Sequence, residues 1–344
     1  MSFLIKALAS IIVFGSVIFI HEFGHFIVAK LSGIKVNEFS LGMGPRLIGF
    51  TKNETEYSLR ALPIGGFVAM EGEDEESDNE GAFNKAPVQN RIAVVVAGAV
   101  MNLILGFAVL AFLVSQQSAI TSRTISQFHE GATTAQTGLQ VNDEIVAVNG
   151  RRCYIANDII YEFARTQDGV VDFTVRRDGE IIDLNDVTFE TYEGEDGMKQ
   201  LVLDFYVYPV QKTFVSVVRE AVNWTVSYAR MIFLSLVDMV TGHVAINQMS
   251  GPVGIVSVIS EATSVGLEPV LNIMALITIN LGVFNLVPFP ALDGGRLVFL
   301  IIEFLRGKPL NPKYEIWVNT AGMMVLLAFM AFVTFSDVTK LIGF

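Results

Sequence analysis

Four long apolar stretches dominate the hydropathy pattern of this chain. The first runs over about residues 4–29, and within it Ala7 to Ile20 is fourteen residues without a charge. Val94–Val114 is 21 uncharged residues, Pro269–Leu292 is 24 and Ile316–Ser336 is 21. A bilayer core about 30 Å thick needs roughly 20 helical residues, so the pattern predicts four membrane spans. The first stretch follows Lys6 as a signal peptide would, but no small-residue cleavage site comes after it. It is expected to stay as a transmembrane helix.

The segments between the spans read differently. Residues 36–70 are too polar and glycine-rich to cross. Arg46–Phe50 and Tyr57–Leu62 alternate around Thr51–Glu54, which predicts a membrane-associated β-hairpin, and Gly65-Gly66 then turns the chain. The hairpin either plugs the end of the helix bundle or lends an edge to an extended substrate. Short strands at Glu144–Asn149, Val170–Arg176 and Gln200–Phe205, with turns at Asn149-Gly150 and Asp178-Gly179, predict a β-rich domain. Residues 213–260 are amphipathic, with Arg219, Glu220, Arg230 and Asp238 interrupting the apolar positions. They are expected to form interfacial helices, with a fifth crossing as the alternative.

Composition and charge set the context. The chain has 344 residues, 52% hydrophobic and 17% charged, which fits an α-helical polytopic membrane protein. A net charge of −12 argues against nucleic-acid partners. The acidic run Glu71 to Glu80 is expected to be solvated loop. The single cysteine, Cys153, excludes an internal disulfide framework and a cysteine zinc site. Lys30, Lys35, Arg46, Lys52 and Arg60 lie between the first two spans, and Arg296, Arg306, Lys308 and Lys313 between the last two. The tails hold only Lys6 and Lys340. The positive-inside rule then puts both short loops in the cytosol, and the termini and the long loop outside. The expected division is a membrane core over 1–118, an extracytoplasmic β domain over 119–208, interfacial helices over 209–268 and a second membrane core over 269–344.

The candidate chemistry sits inside the spans. His21-Glu22-Phe23-Gly24-His25 is an HExxH motif in the first helix. Histidines at i and i+4 share a helix face and can share a metal, and the glutamate can act on its bound water. Ionisable groups at membrane depth are costly, so they mark function by default. In the third span Asn280-Leu-Gly-Val-Phe-Asn285-Leu-Val-Pro288-Phe-Pro290-Ala-Leu292-Asp293-Gly294-Gly295 holds one carboxylate, Asp293, among prolines and glycines that break a helix. Irregular backbone at that depth belongs where protein buries it or it lines a cavity. Two histidines and one carboxylate are a common catalytic zinc set. His129 and His243 are expected to be surface or turn residues.

With HExxH in one span, NxxPxPxLDGG in another and a domain in the loop between, the chain resembles the site-2 protease family of intramembrane metalloproteases. The likeness extends to Gly42-Met-Gly44-Pro45, Pro63-Ile-Gly-Gly-Phe67, Phe83-Asn84-Lys85, Arg91, Ala97-Gly98…Asn102 and Ser250-Gly251-Pro252-Val253-Gly254. Gly131-Ala132…Thr137-Gly138-Leu139…Asp143-Glu-Ile145…Val148-Asn149-Gly150 resembles a single PDZ domain. There are departures. Ala99 stands where the family usually has proline, Asn142 where such PDZ domains usually have glycine, and Arg296 where some relatives have histidine.

The resemblance implies one Zn2+ per chain held by His21, His25 and Asp293, with Glu22 polarising the water and protonating the leaving amine. It implies that Asn285 and Asn280, and more weakly Asn102, hold the substrate backbone. It implies a protease of a bacterial plasma membrane that cuts single-span proteins near the cytosolic side, such as anti-sigma factors and remnant signal peptides. The PDZ domain would exclude bulky substrates or bind a protein partner. The alternative is a membrane scaffold or chaperone that binds client helices around a structural zinc. Glu22 argues against it, because a structural site needs no general base and is usually closed by four protein ligands.

Overall fold

The computed structural model describes residues 3–73, 75, 77–166, 168–194, 199–241, 251–310 and 312–342. Asp74 and Glu76 of the acidic run, His243, and Ser250 of the Ser-Gly-Pro motif lie outside the described residues. In chain order the elements are α1 (Phe3–Leu31), β1 (Val36–Lys52), β2 (Thr55–Met70), α2 (Val88–Gln116), β3 (Ile120–Phe128), α3 (Thr133–Gln136), β4 (Glu144–Val148), β5 (Arg151–Arg152) and α4 (Ala156–Arg165). They continue as β6 (Val170–Arg177), β7 (Glu180–Thr188), β8 (Thr191–Glu193), β9 (Lys199–Leu201), β10 (Phe205–Val210), α5 (Phe214–Val240), α6 (Pro252–Val265), α7 (Leu267–Leu286), α8 (Asp293–Arg306) and α9 (Pro312–Ile342). The chain divides into two compact units, Met1–Val109 with Met231–Phe344, and Leu110–Arg230.

In the first unit, α1, α2, α7 and α9 are the helices among the described residues that are long and apolar enough to cross a membrane. Many of their large apolar side chains face outward, Leu8, Ile12, Ile104 and Leu327 among them. Such a surface suits lipid and not water. The third span is shorter than its apolar run suggests. α7 stops at Leu286, residues 287–292 leave the helix, and Asp293 opens α8 as a separate helix. Pro288 and Pro290 cannot continue the ladder of backbone bonds.

The expected hairpin is present and longer than the alternation indicates. Asn53 and Glu54 both have positive φ, the backbone of a tight two-residue turn. From there Lys52↔Thr55 through Ile48↔Leu59 pair as a hairpin. Residues 38–41 of β1 have partners on both sides. Glu38↔Ala69 to Leu41↔Gly66 run antiparallel, while Glu38↔Glu56 to Leu41↔Leu59 run in the same direction. The result is a curled sheet with segment order 46–52, 55–60, 36–41, 66–70, so 66–70 lies at an edge. Gly65, at φ +78, makes the bend that carries the chain to that edge. Phe39, Val68 and Met70 pack with Ala29 of α1, Val94 and Val95 of α2 and Leu300 of α8, seating the sheet on the helices.

The second unit is β-rich. Its main sheet has the order β10-β3-β4-β6-β7, with β5 paired to β4. Ile125, Ile145, Val148, Phe163, Val171, Phe173, Val187 and Phe205 form its core, and Cys153 is buried with them. Asn142 has φ +74. This is a left-handed conformation, which asparagine tolerates better than most residues. Tyr208 donates its hydroxyl to Asn142 Oδ1 at 3.0 Å. Residues 214–240 form one helix, α5, and its Ser227 bonds Asp158 at the start of α4.

Candidate metal centre

Close helix packing builds the site. Gly24 of α1 lies against Ala97 of α2, where a Cβ would meet the Ala97 carbonyl oxygen at 2.4 Å. Gly282 of α7 lies against Ala99 of α2, where a Cβ would meet that carbonyl oxygen at 3.0 Å. Small residues let the backbones approach, as in other membrane helix pairs. Gly294 and Gly295 do the same for the start of α8, folded against the carbonyls of Val287 and Phe289.

This packing brings His21, His25 and Asp293 together. His25 Nε2 is 3.2 Å from His21 Nε2. Asp293 Oδ2 is 3.3 Å from His21 Nε2 and 3.4 Å from His25 Nε2. Yet Asp293 Oδ2 is buried and makes no hydrogen bond of acceptable geometry. His25 Nδ1 donates to the Val94 carbonyl at 2.8 Å. The carbonyl can only accept, so in the neutral ring Nε2 of His25 carries a lone pair aimed at the other two atoms. Converging lone pairs repel unless a cation lies between them. A tetrahedral zinc with bonds of about 2.0–2.1 Å has ligand atoms about 3.3–3.4 Å apart, which matches the three separations. The side chains fit zinc, and no other cluster of metal-ligating groups occurs among the described residues.

Glu22, Gly66, Phe67, Val68, Glu73 and Arg296 share a cavity of about 210 Å³ with the triad. Gly66 is packed on Glu22, for a Cβ there would meet Glu22 Cγ at 3.0 Å. The edge segment of the curled sheet therefore borders the histidines and the glutamate.

The three asparagines separate. Asn285 is buried at the end of α7, its Nδ2 3.3 Å from His21 Nε2. Asn102 is fully buried, its Nδ2 3.2 Å from His21 Nδ1 and its Oδ1 without a partner. Asn280 is exposed on α7, and five residues before Asn285 put it about 140° around the helix. His129 lies against Tyr206 in the second unit, ring centroids 4.5 Å apart and planes tilted by 48°. The acidic run is not simply solvated loop. Glu71 accepts from Asn37 and Ser77, and Glu73 is paired with Arg296 of α8 at 2.5 Å. The distant cation that holds Glu73 in place is invisible in a local charge pattern.

The sequence profile described as peptidase family M50 matches residues 9–329. A protein of Clostridium acetobutylicum named as a zinc metalloprotease is 35% identical, over 97% of this chain and 98% of that one. The Regulator of sigma-W protease RasP of Bacillus subtilis is 30% identical, over 98% of this chain and 99% of its own. The Zinc metalloprotease RasP of Bacillus licheniformis is 29% identical over 97% of this chain. Four apolar helices, a triad spaced for zinc and a family match over most of its length make this chain a member of peptidase family M50, the site-2 proteases, and a multi-pass bacterial zinc metalloprotease.

Proposed function

We propose that the chain is an intramembrane endopeptidase in which His21, His25 and Asp293 hold the zinc and Glu22 moves the proton. The observation that carries this reading is the 3.2–3.4 Å triangle of Nε2, Nε2 and Oδ2 beside Glu22. Bound zinc supplies the Lewis acidity that acidifies a water and polarises a carbonyl. The Glu22 carboxylate takes a proton from the attacking water and delivers it to the leaving amine nitrogen. No fourth protein ligand joins the triad among the described residues, which disfavours the scaffold reading, since a structural site is closed.

A transmembrane helix satisfies its own backbone, so a substrate must unwind before it is cut. Its freed backbone groups then need partners. The edge segment 66–70 supplies a row of them by strand addition, and Asn285 supplies an amide next to His21. Asn102, fully buried, acts through His21 and not on the substrate. Residues 1–118 and 269–344 form the membrane core. Residues 119–208 form a PDZ domain on the outer face that excludes bulky ectodomains or docks a partner. Residues 209–268 lie along the interface. The site faces the cytosolic side of a bacterial plasma membrane. Single-span proteins are the substrates, with anti-sigma factors and remnant signal peptides as the expected classes.

The test is cleavage of a single-span substrate by purified protein in detergent, with zinc quantified. Wild type is expected to cleave. Glu22→Gln should keep zinc and lose cleavage, and Asp293→Ala should lose zinc. Cleavage retained by Glu22→Gln would overturn the mechanism.

A further inference from the structure

Arg296 lies three residues after Asp293 on α8, on the same helix face. Its guanidinium does not point to solvent. Nη1 bonds Glu73 Oε1 at 2.5 Å, and Nη2 donates to the Glu73 main-chain carbonyl at 2.8 Å. Nε is 3.6 Å from Glu315 Oε1, and the group lies over the Phe83 ring at 5.1 Å. Glu73 in turn accepts from the Met70 N–H, through Oε2 at 3.3 Å. Met70 is the last residue of β2 and ends the edge segment. An unbroken chain of contacts thus joins the helix that begins with Asp293 to the strand that borders Glu22.

Arg296 and Glu73 also line two cavities. One is the 210 Å³ space around the triad. The other, about 530 Å³, is lined further by Phe83, Arg91, Phe299 and Glu303. A guanidinium that grips both the side chain and the backbone of one residue fixes orientation as well as distance, which a lysine cannot reproduce.

We propose that Arg296 is a positioning residue: through Glu73 it sets the register of segment 66–70 against His21, His25 and Asp293, and so fixes which peptide bond of the substrate is cut. The inference rests on the reading of 66–70 as the strand that holds substrate. A strand shifted by one residue presents its opposite face and a different bond.

The experiment maps cut positions by mass spectrometry in a purified single-span substrate, with zinc content and kinetics, for wild type, Arg296→Ala, Arg296→Lys, Glu73→Gln and the exchange Arg296→Glu with Glu73→Arg. Arg296→Ala is expected to retain zinc, to lower kcat roughly 10- to 100-fold with a smaller change in KM, and to spread the cut over neighbouring bonds. The exchanged pair should recover part of the single cut. Should Arg296→Ala fail to fold or to hold zinc, Arg296→Lys and Glu73→Gln must broaden the cut. One unshifted cut in the folded variants overturns the proposal. A second arm separates the two readings. In a Glu22→Gln background, Phe67→Cys and Ala69→Cys should form disulfides with cysteines placed near the scissile bond. Absence of cross-links overturns the strand reading and the inference with it, whereas cross-links with an unshifted cut in the Arg296 variants overturn the inference alone.

Discussion

Gly98 of α2 faces His25 of α1 so closely that a Cβ at position 98 would stand 2.3 Å from His25 Nε2. The same Cβ would be 2.7 Å from His21 Cε1. The space that the triad needs is therefore kept by a residue that ligates nothing. Gly98→Ala must push the imidazole of His25 away from Asp293 and strain its bond to Val94. The expected result is zinc affinity lowered by roughly 10- to 100-fold, the scale of other changes next to ligands. Competition against a chelator measures it. Gly15→Ala is the control, because nothing lies within 4 Å of a Cβ there. Equal zinc affinity in Gly98→Ala and wild type would show that the helices have slack at this crossing.

Asn102 offers a sharper division of roles. Its Oδ1 is buried with no partner while its Nδ2 is 3.2 Å from His21 Nδ1. Turned over, the amide accepts the Nδ1–H of His21, satisfies its oxygen and leaves the Nε2 lone pair free for metal. Ligating histidines commonly donate their other N–H to such an oxygen. Asn102→Leu should accordingly weaken zinc binding about 10- to 100-fold while KM at saturating zinc stays near wild type. Asn285→Ala should do the reverse, keeping zinc and impairing cleavage. A raised KM in fully loaded Asn102→Leu would return that residue to the substrate.

Much of this site is legible in the sequence, because HExxH places two histidines by helix periodicity alone and a lone carboxylate among prolines is conspicuous in an apolar run. The helix that carries Asp293 is harder to read. The apolar run over Pro269–Leu292 hides the fact that α7 ends six residues before a new helix starts, so Asp293 belongs to the second helix and not to the end of the first. The curled sheet is hidden too, since segment 66–70 pairs back with 38–41 across the bend at Gly65. Alternation reports a strand and not its neighbours. Glu73 reads as one more charge in an acidic loop, and its pairing with Arg296, 223 residues away, is a property of the folded chain only.

Cys153 should be chemically silent. It is buried in the second unit, and burial pushes its thiol up to about 12, with the neighbouring Asp158 adding to the rise. At pH 8 such a group is roughly one part in ten thousand thiolate, and the thiolate is the reactive form. Alkylation of native protein at that pH is expected to be negligible over an hour and complete in denaturant. Mass spectrometry reads both. Reaction in the native state would mean that the β-rich unit opens readily.

The start of α6 depends on a residue far along the chain. Gly251, its N-cap, makes no side-chain cap bond. Instead Asp337 of α9 accepts from the Gly251 N–H at 3.1 Å and from the Gly254 N–H at 2.8 Å. Asp337 is only 4% exposed, so the carboxylate has left water and needs those donors. The donors are also helix-terminal N–H groups with no intrahelical partner, and the positive end of the helix favours the charge. Position 251 has little room for anything but glycine, because a Cβ would meet Asp337 Oδ2 at 2.8 Å and Val333 Cγ1 at 2.9 Å. Asp337→Ala should cost about 1–3 kcal/mol, the scale of leaving buried donors unpaired. Asp337→Asn should cost less, since it keeps one acceptor and loses the charge. Thermal unfolding in detergent checks the order, with zinc content expected to stay at wild-type level in both, because α6 contributes none of the three candidate ligands. An Asp337→Ala variant as stable as wild type would show that water, and not the carboxylate, satisfies the start of α6.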